Sequence, residues 1–458
     1  MSERHSVTEL DHASVKADLA SVKTDLARAR GPLAAMSAVD IARLLGRVGS
    51  RFADPADAVR QEALRELPAE AAFSPELAEA VLDGMATDWT EERIAQLLRA
   101  EFPDPGVLDG IVERPLAGGG EEGALSEDGR ARAVMAFGPT LCVQISSGGV
   151  PGVGVHALIR SLLVKSPTLI KPGAGDVLLT RLFADALAEA DPVLGAAVAV
   201  RYWPGEEREL TAAAVAGADL VVAYGSDASV QTVRDLIPVT TRFVPYHHRF
   251  GVGLVGREAL GPGVEDVARD VARAVAMFEH RGCVCPHVVF VEEHGPMVPE
   301  AFAERVGAAL EAIAREWPAA AESDDAQAEA AALAQARGTV EIHEAAGAAR
   351  MMDGGVDNWT VVFETDLVEI PALPGRAVRI RSVGDLAEVP AILGSAGRHL
   401  QSVGYAGVDG RIDALAQALG QAGASRVVPF AHVSFPPPWW LHDGQGPLTT
   451  LVRWVEVG

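Results

Sequence analysis

Residues Thr140–Gly173 have the sequence TLCVQISSGGVPGVGVHALIRSLLVKSPTLIKPG, whose pattern indicates the fold class. A short apolar run, TLCVQI, precedes a glycine-rich turn, a segment typical of a helix, and a second apolar run, TLIK. Short apolar runs that alternate with helices are typical of β-α-β units, in which the strands are parallel and buried on both faces. The stretch therefore predicts an α/β protein with a parallel sheet.

The same alternation continues along the chain, with the apolar runs AAVAV and DLVVAY. Helices are predicted over Asp176–Ala190, Arg208–Ala216 and Ala228–Leu236. A parallel sheet binds ligands beyond the carboxyl ends of its strands. The turns that follow Ile145, Ile170 and Ala223, namely SSGGVPG, KPGAGD and YGSDAS, are therefore expected to converge on one ligand-binding edge.

The first hundred residues are predicted to be helical. SVKADLA and SVKTDLA follow each other directly and place Val15, Leu19, Val22 and Leu26 at heptad spacing. Two heptads are too few for a coiled coil, so we interpret the segment as an amphipathic helix that ends at Gly31-Pro32. A glycine-rich acidic stretch, Leu116–Arg130, is predicted to be a surface loop or a domain boundary.

The composition limits the classes of partner. The 458 residues include 63 acidic and 39 basic side chains, a net charge of −24. Such a charge argues against nucleic acid or anionic membrane as the main partner. The sequence contains no apolar run of about 18 residues, which is the length that would predict a membrane span. The polar start MSERHSVTEL has no apolar core of a signal peptide, and three sparse cysteines are typical of a reducing cytoplasm.

Two of the three cysteines lie two residues apart in EHRGCVCPHVVFVEE, Glu279–Glu293. A zinc site needs about four ligands, and Cys283, Cys285 and His287 supply only three, crowded together. A disulfide between the two cysteines would close a strained ring. Packing in a core, or a nucleophilic thiol, remain as the alternatives.

Cys283 is the better candidate for a nucleophile. It lies on a predicted turn beside His280 and Arg281, where a lowered pKa would be expected. Cys285 precedes Pro286, which favours extended backbone, so it belongs to the next strand and the core. Cys142 lies inside an apolar run and is also expected to be packed.

Cofactor-binding candidates lie on the predicted turns. Lys171 ends a strand, where a cation can hold a ribose or a phosphate, although a surface lysine is the common case. Gly225 and Ser226 open a helix and let backbone N–H groups approach a pyrophosphate, although a simple tight turn fits as well. GVGLVG, Gly251–Gly256, has the spacing of a dinucleotide fingerprint with Asp270 downstream. Its alternation is nevertheless typical of a strand.

From Ala131 onward the chain resembles the aldehyde dehydrogenase superfamily, and more closely its acyl-CoA reductase branch, which includes the fatty acyl reductase of bacterial bioluminescence. The residues that carry the resemblance are SSGGVPGVGVHALIRSLLVKSPTLIKPG, VVAYGSDASV, RGCVCPHVVFVE and PPPWWLHDGQGPLTTLVRWVEVG. The resemblance implies a Rossmann-type parallel-sheet nucleotide domain, an α/β catalytic domain and a helical N-terminal region. The expected regions are 1–105 (helical), 106–250 (dinucleotide-binding), 251–430 (catalytic thiol) and 431–458 (tail with an oligomerisation strand).

The resemblance also implies roles for single residues. Cys283, in a Cys-x-x-Pro pattern, is the nucleophile. Lys171 and Pro172 bind the adenosine ribose, and Gly225 and Ser226 lie on the pyrophosphate turn. Homo-oligomers and an acyl-activating partner enzyme are common in the family.

Three differences from oxidising aldehyde dehydrogenases bear on the expected direction of the reaction, the cofactor and the oxyanion site. YHHRFGVG has no carboxylate where those enzymes carry the glutamate that activates water. Ala174 replaces a glutamate that often holds the ribose, which leaves room for a 2′-phosphate and favours NADPH, with NADH as the alternative. Gly149 replaces an oxyanion-binding asparagine, a loss that typically costs about 10²–10³ in rate. Ser147, Ser146 or Gln144 could compensate.

The sequence therefore predicts NADPH-dependent reduction of an acyl-CoA or carrier-bound acyl thioester, fatty in kind, to the aldehyde through a Cys283 acyl-enzyme, without a metal. Two alternatives are NAD(P)-dependent aldehyde oxidation and a catalytically impaired nucleotide-binding scaffold, which the glycine at position 149 would allow.

Overall fold

A computed structural model describes residues 12–113, 133–320, 324–355, 359–364 and 373–457. The predicted loop Leu116–Arg130 lies outside the described residues. The chain divides into two compact units. The first comprises Met1–Arg60, Ala86–His247 and Gly446–Gly458, and the second comprises Gln61–Met85 and His248–Gln445. In the described part of the chain, no helix has the length and apolar character needed to cross a membrane.

The α-helices are α1 (His12–Ala35), α2 (Ala38–Ala53), α3 (Ala58–Ala71), α4 (Pro75–Asp88), α5 (Glu91–Glu101), α6 (Val153–Leu163), α7 (Val177–Ala190), α8 (Pro192–Ala196), α9 (Arg208–Val215), α10 (Asp227–Arg234), α11 (Val264–Ala276), α12 (Pro299–Glu316), α13 (Asp324–Ala345), α14 (Val389–Leu393) and α15 (Ile412–Ala422).

The strands are β1 (Val112–Glu113), β2 (Ala133–Phe137), β3 (Cys142–Ile145), β4 (Thr168–Lys171), β5 (Val198–Val200), β6 (Leu220–Tyr224), β7 (Arg242–Tyr246), β8 (Phe250–Val255), β9 (Pro286–Glu292), β10 (Ala349–Asp353), β11 (Thr360–Glu364), β12 (Ala377–Val383), β13 (Leu400–Ala406), β14 (Arg426–Pro429) and β15 (Arg453–Val457).

The first unit contains a parallel sheet in the order β5-β4-β3-β6-β7. The predicted β-α-β unit is β3-α6-β4, and its two strands are neighbours, as expected. Ile145 lies opposite Lys171 on one side and Ala223 on the other. The ends of β3, β4 and β6 therefore meet at one edge, which confirms the predicted convergence of the three turns.

Helix α1 packs on this sheet as an amphipathic helix. Leu19, Val22 and Leu26 are buried in a core cluster with Val143 of β3 and Leu169 of β4. The interpretation as an ordinary amphipathic helix is confirmed. The expected end at Gly31-Pro32 is wrong, because α1 continues through the proline to Ala35. The fully buried Leu33 anchors this last turn, and its packing compensates for the backbone hydrogen bond that a proline removes.

The first unit also contains an antiparallel sheet in the order β1-β2-β15. The strand predicted at the end of the tail is β15, which pairs with β2 along Arg453–Val457. Phe137, Trp454 and Val457 are exposed on these strands. Large apolar side chains on exposed strands are typical of surfaces that meet another chain.

The second unit is built on a sheet in the order β10-β11-β12-β9-β8-β13-β14. Its strands are parallel except for the antiparallel β10-β11 pair. GVGLVG lies in the buried strand β8, and the next α-helix begins only at Val264. A dinucleotide fingerprint needs a helix that opens within the glycines. The interpretation of this motif as a strand is confirmed.

Candidate active site

The first two glycine-rich turns at the sheet edge are in direct contact. A Cβ atom on Gly173 would lie 2.1 Å from the backbone nitrogen of Gly148, and one on Gly148 would lie 2.8 Å from that of Gly175. Real Cβ atoms do not come so close to backbone, so only glycine allows the two loops to meet. The turn that carries Ser147 and Gly149 is thereby held beside the turn that follows Lys171.

Asp176, at the end of the turn after Lys171, connects this turn to the loop that precedes α6. Its carboxylate is fully buried and accepts hydrogen bonds from the backbone N–H groups of Gly152 and Gly154, both at 2.6 Å. It therefore compensates the positive N-terminus of α6. The N-terminus of α6 is therefore not available to bind a phosphate of a cofactor. This role of Asp176 was not predicted from the sequence, although an acidic residue that closes KPGAGD was a signal.

Lys171 lies at the end of β4, with only 8% of its surface exposed. Its Nζ is 5.5 Å from the centroid of the Tyr202 ring. Burial lowers the pKa of Lys171, and the nearby charge of Glu206 opposes this shift. An ammonium group, an exposed aromatic face and a carboxylate thus meet at one place. Tyr202 and Glu206 were missed, because the loop after β5 has no glycine-rich signature.

Gly225 and Ser226 form the turn between β6 and α10. The Ser226 Oγ caps α10 by accepting a hydrogen bond from the Ser229 N–H at 3.2 Å. The Gly225 N–H donates to the carbonyl of Tyr246 at 3.1 Å. Both groups already have protein partners, so a phosphate at this turn would meet the next N–H groups of α10.

The predicted oxyanion residues lie on the turn after β3. Ser147 and Gly149 are half-buried. Gln144 is directed into α6, where its Nε2 donates to the Ser161 Oγ at 2.9 Å, so it is not available to compensate for Gly149. The buried Ser146 Oγ has no hydrogen-bond partner within the described residues. Ser146 is therefore an additional candidate donor.

The candidate nucleophile lies on a tight turn before β9. The Cys285 N–H donates to the Gly282 carbonyl at 3.0 Å, which places Cys283 in the middle of the turn. Cys283 is half-buried, whereas Cys285 and Cys142 are buried. The Cys285 Sγ contacts the Met277 carbonyl at 3.5 Å. Among the three cysteines, Cys283 is the one that is only half-buried.

The backbone before this turn is strained. Phe278, Glu279 and His280 have φ values of 58°, 51° and 62°, in the left-handed region that costs roughly 1–2 kcal/mol for each residue with a Cβ. Arg376 holds the Glu279 carboxylate through two hydrogen bonds. Such strain persists only where the surroundings impose it, and it clusters at functional sites.

The expected lowering of the Cys283 pKa is wrong. Burial, together with the charge of Asp443, raises the pKa of Cys283 to about 12, against the weaker effects of its own backbone N–H and of Arg249. In the resting state the sulfur is a neutral thiol. Arg249 and Asp443 were both missed, because no local signal connects them with the cysteine turn.

The two basic neighbours of Cys283, His280 and Arg281, do not lower the pKa of its thiol, and the structure gives the reason. Burial lowers the pKa of His280 to about 3, so its ring is uncharged. Its Nδ1 lies 3.0 Å from the Gly375 carbonyl. The Arg281 guanidinium donates to the Ala71 carbonyl at 2.8 Å and lies over the Phe73 ring. Neither side chain supplies positive charge to the sulfur.

The chain matches one protein family over most of its length. The sequence model of the family described as acyl-CoA reductase (LuxC) matches residues 33–454. A long-chain acyl-protein thioester reductase from Aliivibrio fischeri is 22% identical over 318 residues, which are 69% of this chain and 63% of that protein. The matched part thus spans less than two thirds of the relative. A second such reductase, from Photobacterium leiognathi, is 22% identical over 146 residues, 31% of this chain and 30% of its own.

Solved structures of aldehyde dehydrogenases have the same fold. An NAD-dependent benzaldehyde dehydrogenase from Corynebacterium glutamicum matches with a TM-score of 0.70 at 15% identity, covering 96% of this chain and 90% of its own. An NAD-dependent aldehyde dehydrogenase from Sinorhizobium meliloti matches with a TM-score of 0.72 at 15% identity, covering 96% and 86%. The predicted α/β fold, of the aldehyde dehydrogenase type with a helical N-terminal region, is confirmed.

Proposed function

The chain belongs to the acyl-CoA reductase (LuxC) family, and on this premise we propose that it reduces an acyl thioester to an aldehyde with a nicotinamide cofactor. The substrate is an acyl-CoA or a carrier-bound acyl group, fatty in kind. The observation that carries the proposal is Cys283, which is only half-buried, on a turn that follows strained backbone.

Cys283 acts as the nucleophile in this proposal. Its sulfur forms a bond to the acyl carbon, the bond from that carbon to the carrier sulfur breaks, and the carrier leaves as a thiol with the proton that Cys283 gives up. When bound, the reduced nicotinamide would supply a hydride to the acyl carbon. The bond from that carbon to the Cys283 sulfur then breaks, the sulfur takes up a proton from solvent, and the aldehyde leaves. Ser147 and Gly149 remain the proposed oxyanion turn, with the Ser146 hydroxyl as a further donor.

The residues at the sheet edge of the first unit fit a dinucleotide. Gly148 and Gly173 are in contact and neither has a Cβ atom, so backbone atoms line this part of the sheet edge. Lys171 and Pro172 are proposed to hold the ribose, and Gly225 and Ser226 to form the pyrophosphate turn. The exposed Ala174 leaves room for a 2′-phosphate. We therefore propose NADPH as the preferred cofactor and NADH as the weaker one.

Two alternative functions have a specific basis. Aldehyde oxidation fits the fold, yet YHHRFGVG carries no carboxylate to activate water for deacylation. Incubation of aldehyde and NADP⁺ with and without added CoA separates the two directions, since the proposed enzyme needs CoA. A catalytically impaired nucleotide-binding homologue is consistent with the glycine at position 149. Such a protein would bind NADPH without forming an acyl adduct.

We further propose a cytoplasmic homo-oligomer that receives acyl groups from an acyl-activating partner enzyme. The support for self-association is the exposed Trp454 and Val457 on β15. Light scattering of the full chain and of a Trp454→Ser variant tests this point. A smaller mass for the variant supports it, and an unchanged mass contradicts it.

Intact mass after mixing with acyl-CoAs of graded length, without NADPH, tests the central proposal. We expect one acyl adduct on the wild-type chain and on Cys285→Ala, and none on Cys283→Ala. Addition of NADPH should discharge the adduct as aldehyde. Aldehyde formation from acyl-CoA by Cys283→Ala would overturn the assignment.

A further inference from the structure

Three consecutive residues before the turn of Cys283 have left-handed backbone. The φ values of Phe278, Glu279 and His280 are 58°, 51° and 62°. Among the described residues, four other non-glycine positions have a positive φ, and none of these four adjoins another. Left-handed backbone is unfavourable for a residue with a Cβ atom, so a run of three persists only where surrounding contacts impose it.

Arg376 makes such a contact with the middle residue of the run. Its Nε donates to the Glu279 Oε2 at 2.9 Å, and its Nη2 donates to the Glu279 Oε1 at 2.5 Å. Two parallel hydrogen bonds between a guanidinium and a carboxylate fix the orientation of both groups. The side chains of Arg376 and Glu279 are 3% and 13% exposed, so water and salt screen this ion pair only weakly.

Arg376 is itself fixed to the sheet of the second unit. Its Nη1 donates to the Trp317 carbonyl, and its own carbonyl accepts a hydrogen bond from the Thr360 N–H at 3.1 Å. Strand β12 begins at the next residue, Ala377, and lies between β11 and β9. The guanidinium therefore connects the strained backbone to an interior strand of the sheet.

The other two strained residues have contacts of their own. The His280 ring lies between two carbonyl groups, with its Nδ1 3.0 Å from that of Gly375 and its Nε2 3.3 Å from that of Pro286. The Phe278 side chain is 2% exposed, and its ring meets the Phe435 ring edge to face, with the centroids 5.3 Å apart. Each strained residue is thus held by a separate group.

Two consecutive backbone turns connect this segment with Cys283. The Arg281 N–H donates to the Phe278 carbonyl at 3.1 Å, and the Cys285 N–H donates to the Gly282 carbonyl at 3.0 Å. The second turn begins at the residue after the first turn ends. A change of backbone conformation in the first turn would therefore change the direction in which the second turn presents the Cys283 side chain.

We propose that Glu279 and Arg376 are positioning residues, whose ion pair keeps the strained backbone in place and so fixes the direction of the Cys283 thiol. The inference rests on the proposed function, because it names the contact that orients the proposed nucleophile. Attack on an acyl carbon requires an oriented sulfur, and a displacement of about 1 Å can cost about 100-fold in rate.

Two double variants that differ by one methyl group test the pair. Glu279→Ala/Arg376→Met and Glu279→Gly/Arg376→Met both remove the ion pair, and neither leaves a buried charge without its partner. Glycine adopts left-handed backbone readily, whereas alanine does not. The rate of acyl-adduct formation from acyl-CoA without NADPH, followed by intact mass, should fall about 100-fold in the alanine variant. The glycine variant should recover about tenfold of this loss, as the cost of a left-handed residue implies.

Hydrogen exchange of the peptide that contains residues 278–285 gives a second measurement, which needs no substrate. The amides of Arg281 and Cys285 close the two turns, so they should exchange faster in the alanine variant than in the wild type. The dissociation constant for NADPH should stay unchanged in both double variants, because the proposed cofactor residues lie in the first unit. An unchanged constant also shows that the variants are folded.

Asp266→Ala/Arg269→Met removes an exposed ion pair of the same unit and should change neither acylation nor exchange. Equal acylation rates for the wild type and the alanine variant, or for the alanine and glycine variants, would overturn the proposal. Absence of an adduct on the wild-type chain would contradict the proposed function instead. In that case the exchange measurement still tests the ion pair, and unchanged exchange in the alanine variant would refute its role.

Discussion

Single residues at the sheet edge of the first unit combine local and non-local origins. Lys171 was recognisable because it ends an apolar strand before Pro172. Its surroundings were not, because Tyr202 and Glu206 come from the loop after the next strand. The carboxylate that is absent at Ala174 is thus matched by another near the same lysine. Residues 174 and 206 together should therefore determine whether the site accepts a cofactor with a 2′-phosphate.

Ala174→Glu is expected to reverse the cofactor preference. Ala174 is exposed, so the larger side chain fits, and its charge repels a 2′-phosphate. The dissociation constant for NADPH should rise at least about tenfold relative to that for NADH, equivalent to about 1.4 kcal/mol. Fluorescence titration with both nucleotides measures it.

Glu206→Gln should shift the same ratio toward NADPH. Glu209→Gln, which removes an exposed partner of Lys16, is the control and should change neither constant. Equal ratios for wild type and Ala174→Glu would contradict the role given to this position.

Elements of the second unit are joined by a buried carboxylate at the end of β9. Glu292 is fully buried and accepts hydrogen bonds from Arg257 at 3.0 Å and from Arg411 at 2.8 Å. Although burial raises the pKa of Glu292, the bonds from Arg411 and Arg257 bring it well below its usual range. Arg257 follows β8 and Arg411 precedes α15, so one carboxylate connects three elements.

Glu292→Gln should lower the free energy of unfolding by about 2–3 kcal/mol. Removing one partner of a buried pair costs about 3–5 kcal/mol, and here both arginines reach solvent, which reduces the cost. Glu258→Gln is the matched control, because Glu258 pairs with the same Arg411 but is 56% exposed; exposed pairs contribute at most about 1 kcal/mol. The midpoints of denaturant unfolding give both values, and equal losses would contradict the role of burial.

The described part of the molecule carries several buried or half-buried histidines that are uncharged at neutral pH. Burial lowers the pKa of His156 and of His280 to about 3, and that of His287 to about 4. Their ordinary value is 6.5. Below that pH the unfolded chain binds protons that the folded chain does not bind. The stability that depends on these residues is complete above about pH 6.5 and is lost as the pH falls toward 4 and 3.

The melting temperature should therefore fall between pH 7 and pH 5. The slope of melting temperature against pH should be smaller for His280→Gln, whatever the effect of that substitution at neutral pH. His294→Gln removes an exposed histidine and should keep the wild-type slope. A wild-type slope in His280→Gln would show that this ring does not contribute to acid unfolding.

Local sequence patterns were enough to predict the β-α-β units, the edge where the three turns meet, the strand character of GVGLVG and the position of Cys283 on a turn before Pro286. These features follow from periodicity and from the backbone restrictions of glycine and proline, which act over a few residues.

Three features depend on contacts between distant parts of the chain: the continuation of α1 through Pro32, the capping of α6 by Asp176, and the raised pKa of Cys283. The first depends on burial of Leu33, the second on a carboxylate from another turn, and the third on desolvation and on Asp443. Burial and charge depend on distance in space, and Asp443 affects Cys283 although the two residues are far apart in sequence.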